Sequence, residues 1–426
     1  MSTTQADVDI NVDVNADADG PSRAEPSEQV IEEWKKPRIN ILRLVAAFWA
    51  FLINGMHDAC LGPLIPYLGA YYNINYTVVS LLVLSPFLGY LAAALVNNRM
   101  FLRFGRLGAA TIAPGARLIT YAVVAAHPPF PVVIVMLVLA GFGSGHQDAS
   151  YNAWLGTTNG ATHLLSFLHA FYGLGALLAP LIATSMIVKG GLMWYTFFYL
   201  MMALEILVAA PAFWDEAGAA RGTSSEGTFK SKGVLRESTL QRPAARVTWL
   251  CALFMLGYVG TEVALGGWIT TFALKVRKAD SFSSGMAAMG FWLGLALGRF
   301  TLGFMTSWLG VRLAVSIYLP LTVGFQLLFW LAPQFYVSTV AVALEGYFLG
   351  PIFPAAVIAL SNLLPVRLHI SGIGFAATAG KSGGSIFPFA VGAIAQVKGV
   401  EVLQPIIVAL EAAILVLWLC LPKLPK

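Results

Sequence analysis

Twelve apolar stretches, each of roughly a membrane-crossing length, constrain this chain of 426 residues more than any motif in it. They lie at about 41–66, 77–97, 107–126, 131–154, 162–188 and 192–213, and at 247–274, 282–307, 312–332, 335–360, 370–396 and 401–421. A helix needs about 20 predominantly apolar residues to cross the hydrocarbon core of a bilayer. Inside lipid the backbone must satisfy its own polar groups, so spans of this length read as helices. Composition agrees. The chain is 58 % apolar and 11 % charged, against about 25 % charged in a soluble domain. The fold class expected is an all-α membrane protein of twelve transmembrane helices in two pseudo-symmetric six-helix bundles.

The rest of the chain divides around those spans. Residues 1–33 carry nine acids against a single base, Arg23. That composition cannot bury a core, and it lacks the basic start and short apolar run of a cleavable signal. Residues 1–38 are therefore expected to form a disordered acidic cytoplasmic tail, with the first span acting as insertion signal. The expected division continues with an N-terminal bundle at 39–213, a polar cytoplasmic loop at 214–246, a C-terminal bundle at 247–422 and a cytoplasmic end at 423–426. With the N-terminus inside, eighteen bases fall on the cytoplasmic side and five outside. That bias places both termini in the cytoplasm. The net charge of +5 is the sum of an acidic tail and basic loops, so it does not imply nucleic-acid binding. Cys60, Cys251 and Cys420 lie far apart in apolar runs and suggest neither a disulfide framework nor a metal site.

The two halves repeat each other. Asp58 precedes Gly62 by four residues in span 1, as Glu262 precedes Gly266 in span 7. Gly89 and Gly105 are sixteen apart, as are Gly294 and Gly310. Gly175 stands five before Pro180, and Gly383 five before Pro388. Together these matches point to duplicated six-helix halves, the arrangement of secondary transporters that bind substrate where the repeats meet.

An acid or a lysine at the centre of a span costs about 2.5–3.5 kcal/mol on insertion scales, so such residues must face a cavity or a partner. The candidates are Asp58, Asp148, Glu205, Glu262, Glu345, Lys381 and Glu411, with Arg117 and Arg299 nearer the rims. Asp58 and Asp148 sit among Asn, Gln, Gly and His, and a carboxylate partly withdrawn from water there can carry a proton reversibly. The bland alternative is an acid that only pairs with a neighbouring base. His57 and His146 read better as core or rim histidines.

Glu262 is followed by Gly266-Gly267-Trp268, where a helix break would expose backbone and Trp268 would offer a flat ring to a sugar. Close helix packing on the glycines explains the same residues equally well. Gly380-Lys381-Ser382 is not a phosphate loop, because Phe375 stands where that motif needs glycine. Lys381 is expected to meet a carboxylate or a polar substrate. Glu205 and Glu411, in the last span of each half, read as structural, whereas Glu345 reads as the better candidate to face the cavity. Asn75-Tyr76-Thr77 is an external glycosylation sequon. No catalytic triad, zinc signature or dinucleotide loop is present in the sequence, so neither an enzyme nor a cofactor is expected.

The pattern resembles the major facilitator superfamily, and within it the fucose–proton symporter branch with its fungal and animal relatives. Phe48-Trp49 followed by Asn54 and Asp58 is similar to the first helix of those symporters. Gly143-x-Gly145-x-x-Asp148-x-x-x-Asn152 is similar to their fourth helix, with aspartate where they have glutamate. Gly298-Arg299-Phe300-Thr301 and Gly350-Pro351-Ile352-Phe353-Pro354 resemble their eighth and tenth helices. The resemblance implies alternating access, with Asp58 and Asp148 as the proton-coupling carboxylates. It also assigns gating to Arg103 and Arg106, in a superfamily loop motif with Leu102 where an aspartate is usual, and to Arg299.

The expected function is proton-coupled secondary transport of a small polar, sugar-like metabolite. Asn152, Glu262, Trp268 and Lys381 are expected to line the substrate path. The expected partners are the substrate, protons and the lipid bilayer, for a monomer in the plasma membrane rather than the vacuole. Two other readings stand beside it. One is a proton antiporter exporting a hydrophobic compound, suggested by Gly175-x-x-x-Ala179-Pro180. The other is a transport-inactive sensor signalling through its tail.

Overall fold

The computed structural model describes residues 37–156, 158, 161–207, 236–365 and 368–422, and these are almost entirely helical. The acidic tail and most of the central loop lie outside the described residues. In the first half the helices are α1 (Ile39–Tyr72), the short α2 (Tyr76–Val79), α3 (Leu81–Ala125), α4 (Phe130–Gly156), α5 (Ala161–Thr184) and α6 (Thr196–Ile206). A π-helical turn, Ser185–Lys189, extends α5. The second half holds α7 (Ala244–Lys275), α8 (Ser281–Leu309), α9 (Val311–Leu331), α10 (Phe335–Leu349), α11 (Ile352–Leu363), α12 (His369–Lys398) and α13 (Leu403–Leu419).

Nine of the described segments are long and apolar enough to cross a bilayer. They match the expected spans 1, 2, 4, 5, 7, 8, 9, 10 and 12. Span 3 appears as the shorter apolar helix Ala110–Ala125, and span 6 as Thr196–Ile206. Span 11 is α12, which carries Lys381 and much glycine. The expected break between spans 2 and 3 is not a helix end, because α3 is assigned as helix throughout. It cannot be straight. Gly141 of α4 lies against Pro86, and Gly143, two residues on, lies against Ala113. In a straight helix those two α3 residues would be about 40 Å apart. The chain therefore turns back between Ala93 and Ala110, and both arms of α3 flank α4.

The duplicated glycines make duplicated contacts. Gly175 of α5 abuts the backbone carbonyl of Leu52 in α1, and Gly383 of α12 abuts that of Leu256 in α7. Leu52 and Leu256 each precede the acid of their own helix by six residues. Gly89 likewise meets the Val138 carbonyl, and Gly294 the Ala343 carbonyl. Small residues let membrane helices approach closely where lipid supplies no hydrophobic drive between them. Gly310, between α8 and α9, has φ +81°, a backbone that favours glycine.

Several contacts join the halves from mid-height to the end away from the chain termini. Gly62 of α1 meets Gly266 of α7, Thr184 meets Gly285 at the start of α8, and Ser80 meets Gly392 of α12. The Tyr76 N–H donates to Gln396 Oε1 at 2.8 Å, and Lys189 lies 4.0 Å from the Phe282 ring centre. These contacts close the far end of the bundle.

Candidate functional site

The described halves share one ion pair, and it joins two residues singled out above. Lys381 Nζ of α12 donates to Asp148 Oδ2 of α4 at 2.8 Å. Local packing explains why Asp148 faces the partner half. Gly143 and Gly145 let α4 lie against Ala113, Ala116, Tyr90 and Ala93 of α3, which turns the next helical positions toward the cleft. The other oxygen of Asp148 accepts from Asn54 Nδ2 at 3.2 Å, and Asn54 Oδ1 accepts from Ser144 at 2.6 Å. Asp148 is thus held on both sides, with 19 % of its side chain exposed, while Lys381 keeps 44 % exposed. The ammonium also lies 4.8 Å from the Tyr90 ring centre.

Asp58 belongs to the same constellation. It lies one turn beyond Asn54 on α1, and its Oδ2 accepts from the Tyr172 hydroxyl of α5 at 2.8 Å. The close approach of α1 and α5 is made by glycines, since Gly55 sits against the Tyr172 carbonyl. Asn152, one turn after Asp148, donates to the Asp148 backbone carbonyl at 2.7 Å, and its Oδ1 lies 3.2 Å from His169 Nε2. The exposed Lys381 and His169 leave the approach to these groups on the side of the chain termini.

Glu262 is paired instead of free. Arg299 of α8 donates to both its oxygens at 3.0 and 3.2 Å, and Arg299 Nε donates to the Gly350 carbonyl at 3.3 Å. Arg299 therefore ties α7, α8 and the α10–α11 break together within one half.

The expectation for Trp268 is corrected. It is fully buried, its indole N–H donates to the Pro388 carbonyl at 2.9 Å, and Tyr76 packs against it edge-on. No ring face is free for a sugar. The helix break expected at Gly266-Gly267 is absent, because α7 continues to Lys275 and Gly266 accommodates the Trp292 ring. Glu345, expected to face the cavity, is fully buried away from it. Asn75 is exposed and caps α2 by accepting from the Val78 N–H at 2.9 Å. The side chains of Arg103 and Arg106 lie outside the described residues.

Sequence reasoning missed Tyr172, Ser144 and Tyr90 as site residues, because aromatic and hydroxyl residues are common in apolar spans and give no spacing signal. It also missed that Arg117 reaches the last helix of its half. That arginine donates to Glu205 at 2.8 and 3.1 Å and to Gln147 at 2.6 Å, with both charged side chains fully buried.

Two related helical halves with an ion pair between them have the arrangement of secondary transporters that bind substrate where their repeats meet. The sequence profile of the Major Facilitator Superfamily matches residues 47–388. The chain belongs to that family and is a multi-pass membrane transport protein, not an enzyme. It is 29 % identical over 418 residues to "Bypass of stop codon protein 6" of Saccharomyces cerevisiae, covering 90 % of this chain and 83 % of the relative. It is 23 % identical over 351 residues to the glucose/mannose transporter GlcP of Bacillus subtilis, covering 80 % and 85 %. Among solved structures, the D-xylose–proton symporter superposes with TM-score 0.73 at 14 % identity, over 90 % of this chain and 98 % of that one. The E. coli fucose:proton symporter superposes with TM-score 0.62 at 14 % identity, over 91 % and 98 %.

Proposed function

We propose that this transporter moves a small polar, sugar-like solute together with protons, and that Asp58 and Asp148 carry the proton. The Lys381–Asp148 pair is the observation that carries the reading. An ion pair between two bodies that must separate and re-form is weakened when its acid takes up a proton, so protonation of Asp148 releases α12 from α4. Asp58 lies beside it on the same half, hydrogen-bonded to Tyr172, and can exchange protons through the same exposed cleft. Lys381, Asn152 and His169 present donors and acceptors in a partly open site, which suits a polyhydroxylated solute. The functions of the xylose, fucose and glucose/mannose relatives support that substrate class.

We place the chain as a monomer in the plasma membrane with both termini in the cytoplasm; the eighteen-to-five distribution of bases supports that orientation. The Gly175-x-x-x-Ala179-Pro180 motif does not argue for export. Gly175 packs on α1 as Gly383 packs on α7, so the motif is accounted for by helix contact.

Proteoliposomes with a pH-sensitive dye inside, challenged with a panel of sugars and hydrophobic metabolites, test the proposal. Wild type should acidify the lumen when a sugar is added outside, and Asp58→Asn and Asp148→Asn should each reduce that signal to background. Sugar entry with unchanged proton movement in both variants would refute coupling through these acids. Alkalinisation of the lumen on adding a hydrophobic compound would instead establish export.

A further inference from the structure

Glu345 of α10 and Glu411 of α13 are both fully buried, and their carboxyl groups lie within hydrogen-bonding reach of each other. Among the described residues no arginine, lysine or histidine is paired with either. The Thr322 hydroxyl of α9 lies beside Glu411 but gives its proton to the Leu319 carbonyl at 2.7 Å. Both Glu411 oxygens are consequently left without a donor. Gln326 of α9 faces Glu345, and with its amide turned toward that acid it donates to the two carboxyl oxygens at 2.8 and 3.2 Å. The remaining amide oxygen lies 2.7 Å from the Gln404 side chain.

Two carboxylates in contact, shielded from water and without a cation, cannot both be ionised. The other half supplies an internal control. Glu205 occupies the same Ala-Leu-Glu context in its last helix as Glu411, and there Arg117 neutralises it. In the second half the last-helix acid instead meets another acid, Glu345, which comes from span 10, whereas Arg117 comes from span 3 of the first half.

We propose that Glu345 and Glu411 form a second proton-binding site, buried in the C-terminal half and separate from Asp58 and Asp148. The two carboxyl groups share one proton between them, and Glu345's other contacts come from Gln326. The bound proton joins α9, α10 and α13. Glu345 lies little more than a turn before Gly350, whose carbonyl Arg299 holds while it pairs with Glu262. That connection places the proton next to the one break in the α10–α11 span. Among the titratable groups on the surrounding helices, Tyr318 of α9 donates to the Leu302 carbonyl and Arg312 of α9 to carbonyls at the end of α13 and just beyond it. That leaves Glu262 and Tyr258 of α7 and Arg299 of α8. These contact one another instead of the glutamate pair. The inference concerns a site outside the Asp58–Asp148 cleft and stands whether or not that cleft couples protons to transport.

Infrared titration of the full-length protein in lipid, following the protonated-carboxyl stretch from acid to alkaline pH, tests the site without a substrate. Wild type should retain a protonated-carboxyl band at neutral pH. Glu345→Gln and Glu411→Gln should each remove or shift it, and Asp58→Asn with Asp148→Asn should leave it in place. Each Gln variant resembles the protonated acid in shape, and a monodisperse elution profile confirms that it folds. An unchanged band in both Gln variants would overturn the proposal. So would loss of the band on adding sodium at constant pH, which would make the pair a cation site.

Discussion

The last helix of each half carries a glutamate in the same Ala-Leu-Glu context, yet the two have opposite companions. Glu205 meets the Arg117 guanidinium, which also donates to Gln147, and all three are buried. Glu411 meets a second glutamate, Glu345, which in turn faces Gln326. Duplication has kept the helix contacts, since Gly175 and Gly383 serve equivalent approaches, and has let the buried charge diverge. Helix contact depends on backbone shape, which a repeat inherits whole. Charge balance depends on single side chains, and here the partner of the last-helix acid comes from the third span in one half and from the tenth in the other.

The sharpest way to break this contrast is to remove the cation. Arg117→Leu leaves Glu205 buried and unpaired, which should cost about 3–5 kcal/mol. Thermal unfolding in detergent should show a large loss that Arg117→Leu/Glu205→Leu largely restores. Glu411→Gln, by contrast, leaves a neutral hydrogen-bonding group beside Glu345 and should change stability far less. Equal losses for Arg117→Leu and Glu411→Gln would mean that the two sites are alike after all.

A smaller effect sharpens the shared part of the comparison. Gly175→Ala and Gly383→Ala each place a methyl group against a facing backbone carbonyl, Leu52 or Leu256. Each should cost about 1–3 kcal/mol through forced helix separation. The same unfolding measurement should return similar values for both, and a strong asymmetry would show that the two contacts have lost equivalence.

The smallest effect lies outside the membrane, at the start of α8. Asp280 caps that helix by accepting from the Phe282 and Ser283 N–H groups at 3.0 Å each. Hydrogen bonds from Ser283 hold its carboxyl below the usual aspartate range. A lowered folded-state value stabilises the helix start above about pH 4, the unfolded aspartate value. The contribution is lost as pH falls through the folded value. Asp280→Asn should keep the cap and abolish this acid sensitivity, as read from amide exchange at Phe282 and Ser283. Asp280→Ala should lose the cap at every pH, at a cost of about 1 kcal/mol.

Much of the site was legible because lipid makes charge conspicuous. Asp58, Asp148 and Lys381 stand out in apolar spans, and the structure brings Lys381 to Asp148 and both acids to one cleft wall. Trp268 was misplaced for the converse reason. An aromatic next to paired glycines has the same local sequence whether it lines a cavity or fills a helix contact, and here it fills one. Glu345 was misplaced because one helix does not reveal which of its faces meets an acid on another.

By itself the sequence determined that the chain spans a membrane, that its halves are related and that a few buried charges must have partners. These follow from transfer energies and repeat spacing, which are local properties. Only the tertiary structure decided the partners: lysine to aspartate across the halves, arginine to glutamate within each half, and glutamate to glutamate in the second. Pairing depends on which helix faces meet, and residues 233 positions apart can be hydrogen-bonded without any local signal of their meeting.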